Sequence, residues 1–339
     1  MARIVLGMCL SHTPQLHTPA SEWDVRVAAD RRNRTHRFRG RTYDWDALCA
    51  LRRAERLEGQ IGVAQREARL LRCHRWLGHL AQVYQRVRPD VAVIVGNDQH
   101  ELFDDSVMPA FTVFWGETIA NIPRSPAQIA RLPAGIHIAD PGHVPPQART
   151  YPGSPALGAH IIEHAMREGF DVAQARTLHQ LPEEHSVLSG IPHAYGFVYR
   201  QIMKDEVIPN VPIILNTFYP VNQPRVRRCF DFGRCIGNAI ASWPEDLTVA
   251  VIGSGGLSHF VVDPLFDRAF LEALVTHDVE ALAAPGESLY QSGTSECKNW
   301  IAAAGVLSTT QLRMRLHGYE PLFRSEAGTG TGAAFASWE

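Results

Sequence analysis

Residues 91–101, "VAVIVGNDQHE", join two kinds of chemistry in eleven positions. Val91, Ala92, Val93, Ile94 and Val95 form an unbroken aliphatic run. Such a run marks a strand covered on both faces rather than one that alternates between core and water. After a single glycine the chain presents Asn97, Asp98, Gln99, His100 and Glu101. Burying one unpaired amide costs roughly 2–7 kcal/mol, and an unpaired charge costs far more. A strand that ends this way therefore leads from a core into a place where partners for polar groups are already waiting.

Four further β-rich runs, at 3–8, 111–114, 211–215 and 247–252, also end in glycine or polar clusters. Between them, apolar residues at three- and four-residue steps predict helices near 47–87, 156–168, 225–242, 264–276 and 295–306. Strands alternating with helices predict an α/β fold. Its central sheet should be mostly parallel or mixed, flanked by helices, with sites at the carboxyl ends of the strands. No linker divides the chain, so residues 1–339 read as one domain. The segment 18–46, polar with scattered aromatics, reads as a lid or an interface arm that makes a homodimer or larger assembly plausible. The Pro- and Gly-rich segment 123–155 reads as a long ordered loop over one edge.

With 45% apolar and 20% charged residues, the chain has the composition of an ordinary globular protein. A formal net charge of -2 argues against nucleic acid or an acidic membrane surface as partner. No apolar run approaches the roughly 20 residues of a membrane helix. The opening "MARIVLGMCLSH" reads as a first strand and not as an export signal. Six cysteines without a CxxC pair then read as free thiols of a cytoplasmic protein.

Histidines and acids recur where buried runs stop. His12 follows the first strand, and His100 and Glu101 follow the quoted one. His185 and His193 lie in "LPEEHSVLSGIPHAYGFVY", and His259 closes "LTVAVIGSGGLSH". Glu296 enters a late helix that Thr294 or Ser295 is placed to cap. Taken singly, each of these is most simply a hydrogen-bonded or solvated residue. Taken together, they would meet at one rim of a parallel sheet. Two imidazoles and a carboxylate with open positions suit a non-haem ferrous ion, and also a catalytic zinc ion.

The motifs "SHTP", "GNDQHELF", "EEHSVLSGIP", "NTFYPVNQP", "GSGGLSHFVVD" and "SGTSECKNWIAAAG" span nearly the whole chain in this order. In that order they resemble the class III extradiol ring-cleaving dioxygenases, the superfamily of the protocatechuate 4,5-dioxygenase catalytic subunit. The likeness is nearest to the 3-O-methylgallate dioxygenase branch. The resemblance implies Fe(II) as cofactor, O2 as co-substrate and cleavage of a catechol-type ring beside its hydroxyls. It matches His12 and Glu296 to iron ligands, His259 to a catalytic base that is not a ligand, and His185 to a second pocket histidine. Where the family often reads Asn-Asp-His, this chain reads Asn97-Asp98-Gln99-His100, which aligns the family histidine with Gln99. His100 is the expected second ligand through a one-residue shift. Gln99, Asp98 or a helix histidine (His74 or His79) are the alternatives. His193, Tyr195 and Gln99 are expected to line the substrate pocket. Protocatechuate, gallate, 3-O-methylgallate, an aminophenol or a dihydroxypyridine would each fit a chelating pocket. A non-enzymatic relative on the same fold, or a zinc hydrolase, is the rival reading.

Overall fold

The computed structural model describes residues 1–182 and 184–339, so Glu183 of the "PEEH" motif lies outside the described residues. Its centre is a nine-stranded mixed sheet. In chain order the strands are β1 (Arg3–Leu10), β2 (Val91–Asn97), β3 (Phe111–Phe114), β4 (Ala173–Ala175), β5 (Asn210–Leu215), β6 (Thr248–Ser254), β7 (His259–Val261), β8 (Met314–Phe323) and β9 (Thr329–Trp338). Their spatial order is β7-β9-β1-β6-β2-β5-β3-β4, with β8 also paired to β9. The four central strands, β1, β6, β2 and β5, run parallel. Antiparallel pairing joins β3 to β5 and β9 to β1, β7 and β8.

The aliphatic run of β2 is buried on both sides because each face meets helices. Val91, Val93 and Val95 point to one core, shared with Val226–Ser242 (α5), Cys297–Leu307 (α7) and Pro155–Arg167 (α3). Ala92 and Ile94 point to the other, shared with Val63–Val87 (α2) and His193–Gln201 (α4). Each buried aliphatic side chain contributes roughly 1.5–3 kcal/mol. The period-two alternation of a strand therefore serves two cores with one uninterrupted apolar sequence. α5 and α7 approach so closely that a Cβ on Gly305 would stand 2.2 Å from the Phe230 carbonyl oxygen. That contact packs α7 tight against α5.

All five expected strands are present, and the helix expected over 47–87 is two, Trp45–Arg52 and Val63–Val87. In sequence order Trp45–Arg52 lies between Asp24–Arg32 (α1) and α2, and Pro264–Val275 (α6) lies between α5 and α7. The segment 123–155 is not plain loop but carries a short helix, Pro126–Arg131, a 3-10 turn, Ile136–Gly142, and a strand, Arg149–Pro152. The long hairpin β8–β9 has no counterpart among the expected elements. Its β9 is Gly- and Ala-rich, "TGTGAAFASW", and is buried along its full length. Its alternation is hidden because small residues are needed on both faces. Among the described residues, no helix is long and apolar enough to cross a membrane.

Candidate metal centre and active site

The parallel strands deliver their carboxyl ends to one rim, and the site is assembled there. His12 lies two residues beyond β1, and the Gly255-Gly256 turn follows β6. Gln99 and Glu101 follow β2. Glu296 ends the 3-10 turn Ser292–Glu296 and stands at the N-cap position of α7, without a side-chain cap of its own. His193 is the first residue of α4, and His259 the first of β7.

His12, His193 and Glu296 each offer a ligand atom, and the three atoms lie within 4.8 Å of one another. His12 Nδ1 is 2.9 Å from Ser254 Oγ, and that hydroxyl donates its only hydrogen to the Ala194 carbonyl at 2.7 Å. Ser254 must therefore accept from His12 Nδ1–H, which leaves the lone pair on Nε2. Nε2 is buried and unpartnered in hydrogen-bonding terms, although it stands 3.1 Å from Glu296 Oε2. Close approach without hydrogen-bond alignment is how two ligands of one cation sit. Burial outweighs the charge of Glu296 and lowers the His12 pKa, which keeps the ring neutral and able to ligate.

His193 is arranged by the same logic. Its Nδ1 is 2.8 Å from Glu101 Oε2, and Glu101 also accepts the His193 backbone N–H at 3.3 Å. A carboxylate accepts and does not donate, so the proton sits on Nδ1 and Nε2 is left for a ligand. Burial alone would lower this histidine, but the charge and hydrogen bond of Glu101 outweigh it and raise the pKa. Glu296 Oε1 accepts from Gln99 Nε2 at 2.6 Å, and Oε2 accepts from the Gly256 backbone N–H at 2.7 Å. Burial would raise the Glu296 pKa, but His12 and His259 hold it well below the ordinary carboxylate value. Two imidazoles whose Nδ1 atoms are already engaged, one carboxylate and the buried, unpartnered Nε2 of His12 form a donor set suited to a divalent ion such as Fe(II) or Zn(II), which would take the place of a proton on Nε2 of His193.

His259 stands beside this set without joining it. Its Nδ1 is 2.8 Å from the Leu257 carbonyl, which can only accept, so the free lone pair is on Nε2, 3.6 Å from Glu296 Oε2. A Cβ on Gly293 would lie 2.1 Å from the His259 ring, and one on Gly256 would lie 2.8 Å from it. The ring fits only because those two positions carry no side chain. Ser258, its neighbour, is anchored through both its N–H and its hydroxyl to Asp267, which also accepts from Tyr319. A cavity of about 350 Å³ opens onto His12, His193, Glu296, His259 and Gln99. Arg124, Val187 and Phe260 also line it.

The structure places the other expected site residues elsewhere. His100 adopts a left-handed backbone, φ 57°. The chain turns there, with Gln99 facing Glu296 and Glu101 facing His193. The His100 ring stacks on Tyr219 at 3.6 Å, with its Nε2 3.9 Å from Asp105 and its side chain one-third exposed. It does not meet His12 and Glu296. Asp98 is occupied by the backbone N–H groups of Glu101, Leu102 and Phe103. Burial, aided by Glu101, pushes its carboxyl up to about 7. The His185 side chain is 62% exposed, 4.0 Å from Asp104, and lies off the cavity. Tyr195 is fully buried, donating to the Ile213 carbonyl at 2.7 Å, and does not line the cavity. Cys9 and Cys297 are buried with thiols pushed far up by desolvation, so neither offers a thiolate. Glu101, which the sequence offered only as one of the polar groups after β2, touches His193, and Gly293, which nothing in the sequence singled out, makes room for His259. A spacing of 92 residues between Glu101 and His193 carries no local signal.

The family described as the catalytic LigB subunit of aromatic ring-opening dioxygenase matches residues 62–330. The gallate dioxygenase of Pseudomonas putida is 29% identical over 194 residues, 54% of this chain and 54% of its own length. The 2,3-dihydroxyphenylpropionate/2,3-dihydroxicinnamic acid 1,2-dioxygenase of Comamonas testosteroni is 26% identical over 218 residues, 64% of this chain and 56% of its own. This chain thus spans little more than half the length of either relative.

Proposed function

The chain belongs to the family of the catalytic LigB subunit of aromatic ring-opening dioxygenases, and on that premise we propose that it opens a catechol-type ring with O2 at a ferrous ion held by His12, His193 and Glu296. The observation that carries this reading is the pair of preset tautomers: Ser254 and Glu101 each take an Nδ1 proton and leave two Nε2 lone pairs beside one carboxylate. Names carried by both relatives, a gallate and a dihydroxyphenylpropionate dioxygenase, support the substrate class. Held by His12, His193 and Glu296, a ferrous ion would supply the redox chemistry that lets electrons pass from a diol to O2.

The protein's own groups do the remaining work. His259 Nε2, free and facing the carboxylate side of the site, takes the proton of an incoming diol hydroxyl and later returns it. Gln99 and the Gly256 N–H hold the two oxygens of Glu296, so the carboxylate cannot swing away from the ligand position. Val187 and Phe260 supply apolar lining for the ring. Both atoms of O2 enter the ring-opened product, and no external reductant is required. The test is anaerobic loading with Fe(II), then addition of a catechol and air. Oxygen uptake in step with substrate loss and a coloured ring-fission product is the expected result. Zinc-dependent hydrolysis, or absence of both oxygen uptake and iron binding, overturns the reading.

A further inference from the structure

The cavity is charged unevenly. Glu296 and Glu101 lie at its ligand end. Three arginines, Arg26, Arg124 and Arg324, line it as well. Arg124 is paired with Asp140 at 3.0 Å, and Arg324 makes a two-point contact with Asp30 at 2.6 and 3.0 Å. Among the described residues, Arg26, on α1, hydrogen-bonds through its guanidinium only to the Ala134 carbonyl, at 3.2 Å. Among the described residues it has no carboxylate within ion-pair distance. Arg26 and Arg324 therefore flank the single carboxylate of Asp30, and one positive charge at this part of the wall is left over. Burial and the Arg324 charge lower the Arg26 pKa, with Asp30 opposing them, as expected for an under-compensated cation. A guanidinium in this position lacks an anion with two acceptor oxygens.

Arg26 also sits where two segments meet. Its hydrogen bond to Ala134, and the approach of Val25 and Arg26 to Gly135, bring α1 against the segment after Pro126–Arg131. Trp23 of the same arm, Leu132 and Ile136 line the cavity around it. An apolar sleeve carrying one free guanidinium recognises an apolar body with an anionic end. Arg26 lies outside residues 62–330, the part of the chain that matches the family.

We propose that Arg26 is a specificity-determining residue that binds a carboxylate, or another two-oxygen anion, at the end of the substrate away from its diol. This rests on the reading of the site as a ring-opening centre. The substrate class it selects is a catechol carrying an anionic side arm, oriented with the diol toward Glu296 and His259 and the anion toward α1.

The experiment compares caffeate with methyl caffeate, two probes that share a diol and differ in the charge of the side arm. Binding to the purified full chain is measured under nitrogen, with and without Fe(II), and oxygen uptake is then measured in air. Wild type should bind caffeate about 10- to 100-fold tighter than the ester. In Arg26→Met the preference should fall to about twofold or less, with the loss of affinity falling mainly on caffeate. Arg26→Lys should keep part of the preference as a point charge. Absence of a preference in wild type overturns the proposal, as does an equal loss on both probes in Arg26→Met. Ring opening of both probes without charge discrimination sinks Arg26 alone. No binding of either probe and no oxygen uptake sinks the ring-opening reading with it.

Discussion

Two histidines, His100 and His193, sit close to the same strand end, and the structure treats them in opposite ways. His100 lies just beyond β2 and is the ligand expected through a one-residue shift, yet its ring stacks on Tyr219 and stays one-third exposed. His193 comes from the first turn of α4, far along the chain, and stands beside His12 and Glu296. What separates them is an acceptor. Glu101 fixes the tautomer and direction of His193, whereas His100 has only distant, exposed Asp105. A ligand is made by the group behind it as much as by its own nitrogen.

The sharpest way to break this comparison is to remove each ring in turn. His193→Ala is expected to lose ferrous ion and at least about 1,000-fold of turnover, while His100→Ala stays within about threefold. Iron content after gel filtration and oxygen uptake read the outcome, and the reverse ranking would return the ligand role to His100. Next in size, His259→Phe should bind iron as wild type does yet lose about 100- to 10,000-fold in kcat. Near-normal turnover there removes the base from the scheme. Glu101→Gln keeps an acceptor behind His193 but discards its charge, and should weaken iron binding by about 10- to 100-fold. An unchanged affinity would mean that Glu101 is not what prepares the ligand.

The smallest effect concerns the support of His259 rather than the metal. Asp267, fully buried beneath Ser258, has its carboxyl raised from 3.8 to about 6 by burial, against three hydrogen bonds that oppose the rise. An acid whose folded pKa is raised binds more protons folded than unfolded. Its contribution to stability is present below about 4 and is lost as pH rises through about 6, on the order of 2–3 kcal/mol. In Asp267→Asn the melting temperature should change less between those pH values than in wild type. An identical pH slope in both proteins would show that Asp267 does not titrate there.

The sheet was legible because aliphatic runs are long-range facts written locally. The run at 91–95 has to be covered on both sides whatever covers it. His12, His259 and Glu296 could be singled out for a related reason: each lies within a few residues of an expected strand or helix, and the structure brings them to one rim. The hairpin β8–β9 was not legible, because its Gly- and Ala-rich strand shows no alternation to read. Tyr195 was expected to line the pocket with His193, but helical periodicity turns it into the core, toward Ile213. His185, singled out with the other histidines and matched by the resemblance to a pocket histidine, is left by the structure at the surface beside Asp104.

The sequence by itself determined that a parallel-centred sheet would end in polar groups and that His12 and Glu296 were candidates to meet there. Only the tertiary structure brings His193 beside them, and one left-handed residue at His100 turns away a ring that the spacing could not orient. Periodicity reports which face of an element is buried. The direction of a side chain beyond the element's end depends on partners such as Glu101 and Ser254, which arrive from distant parts of the chain.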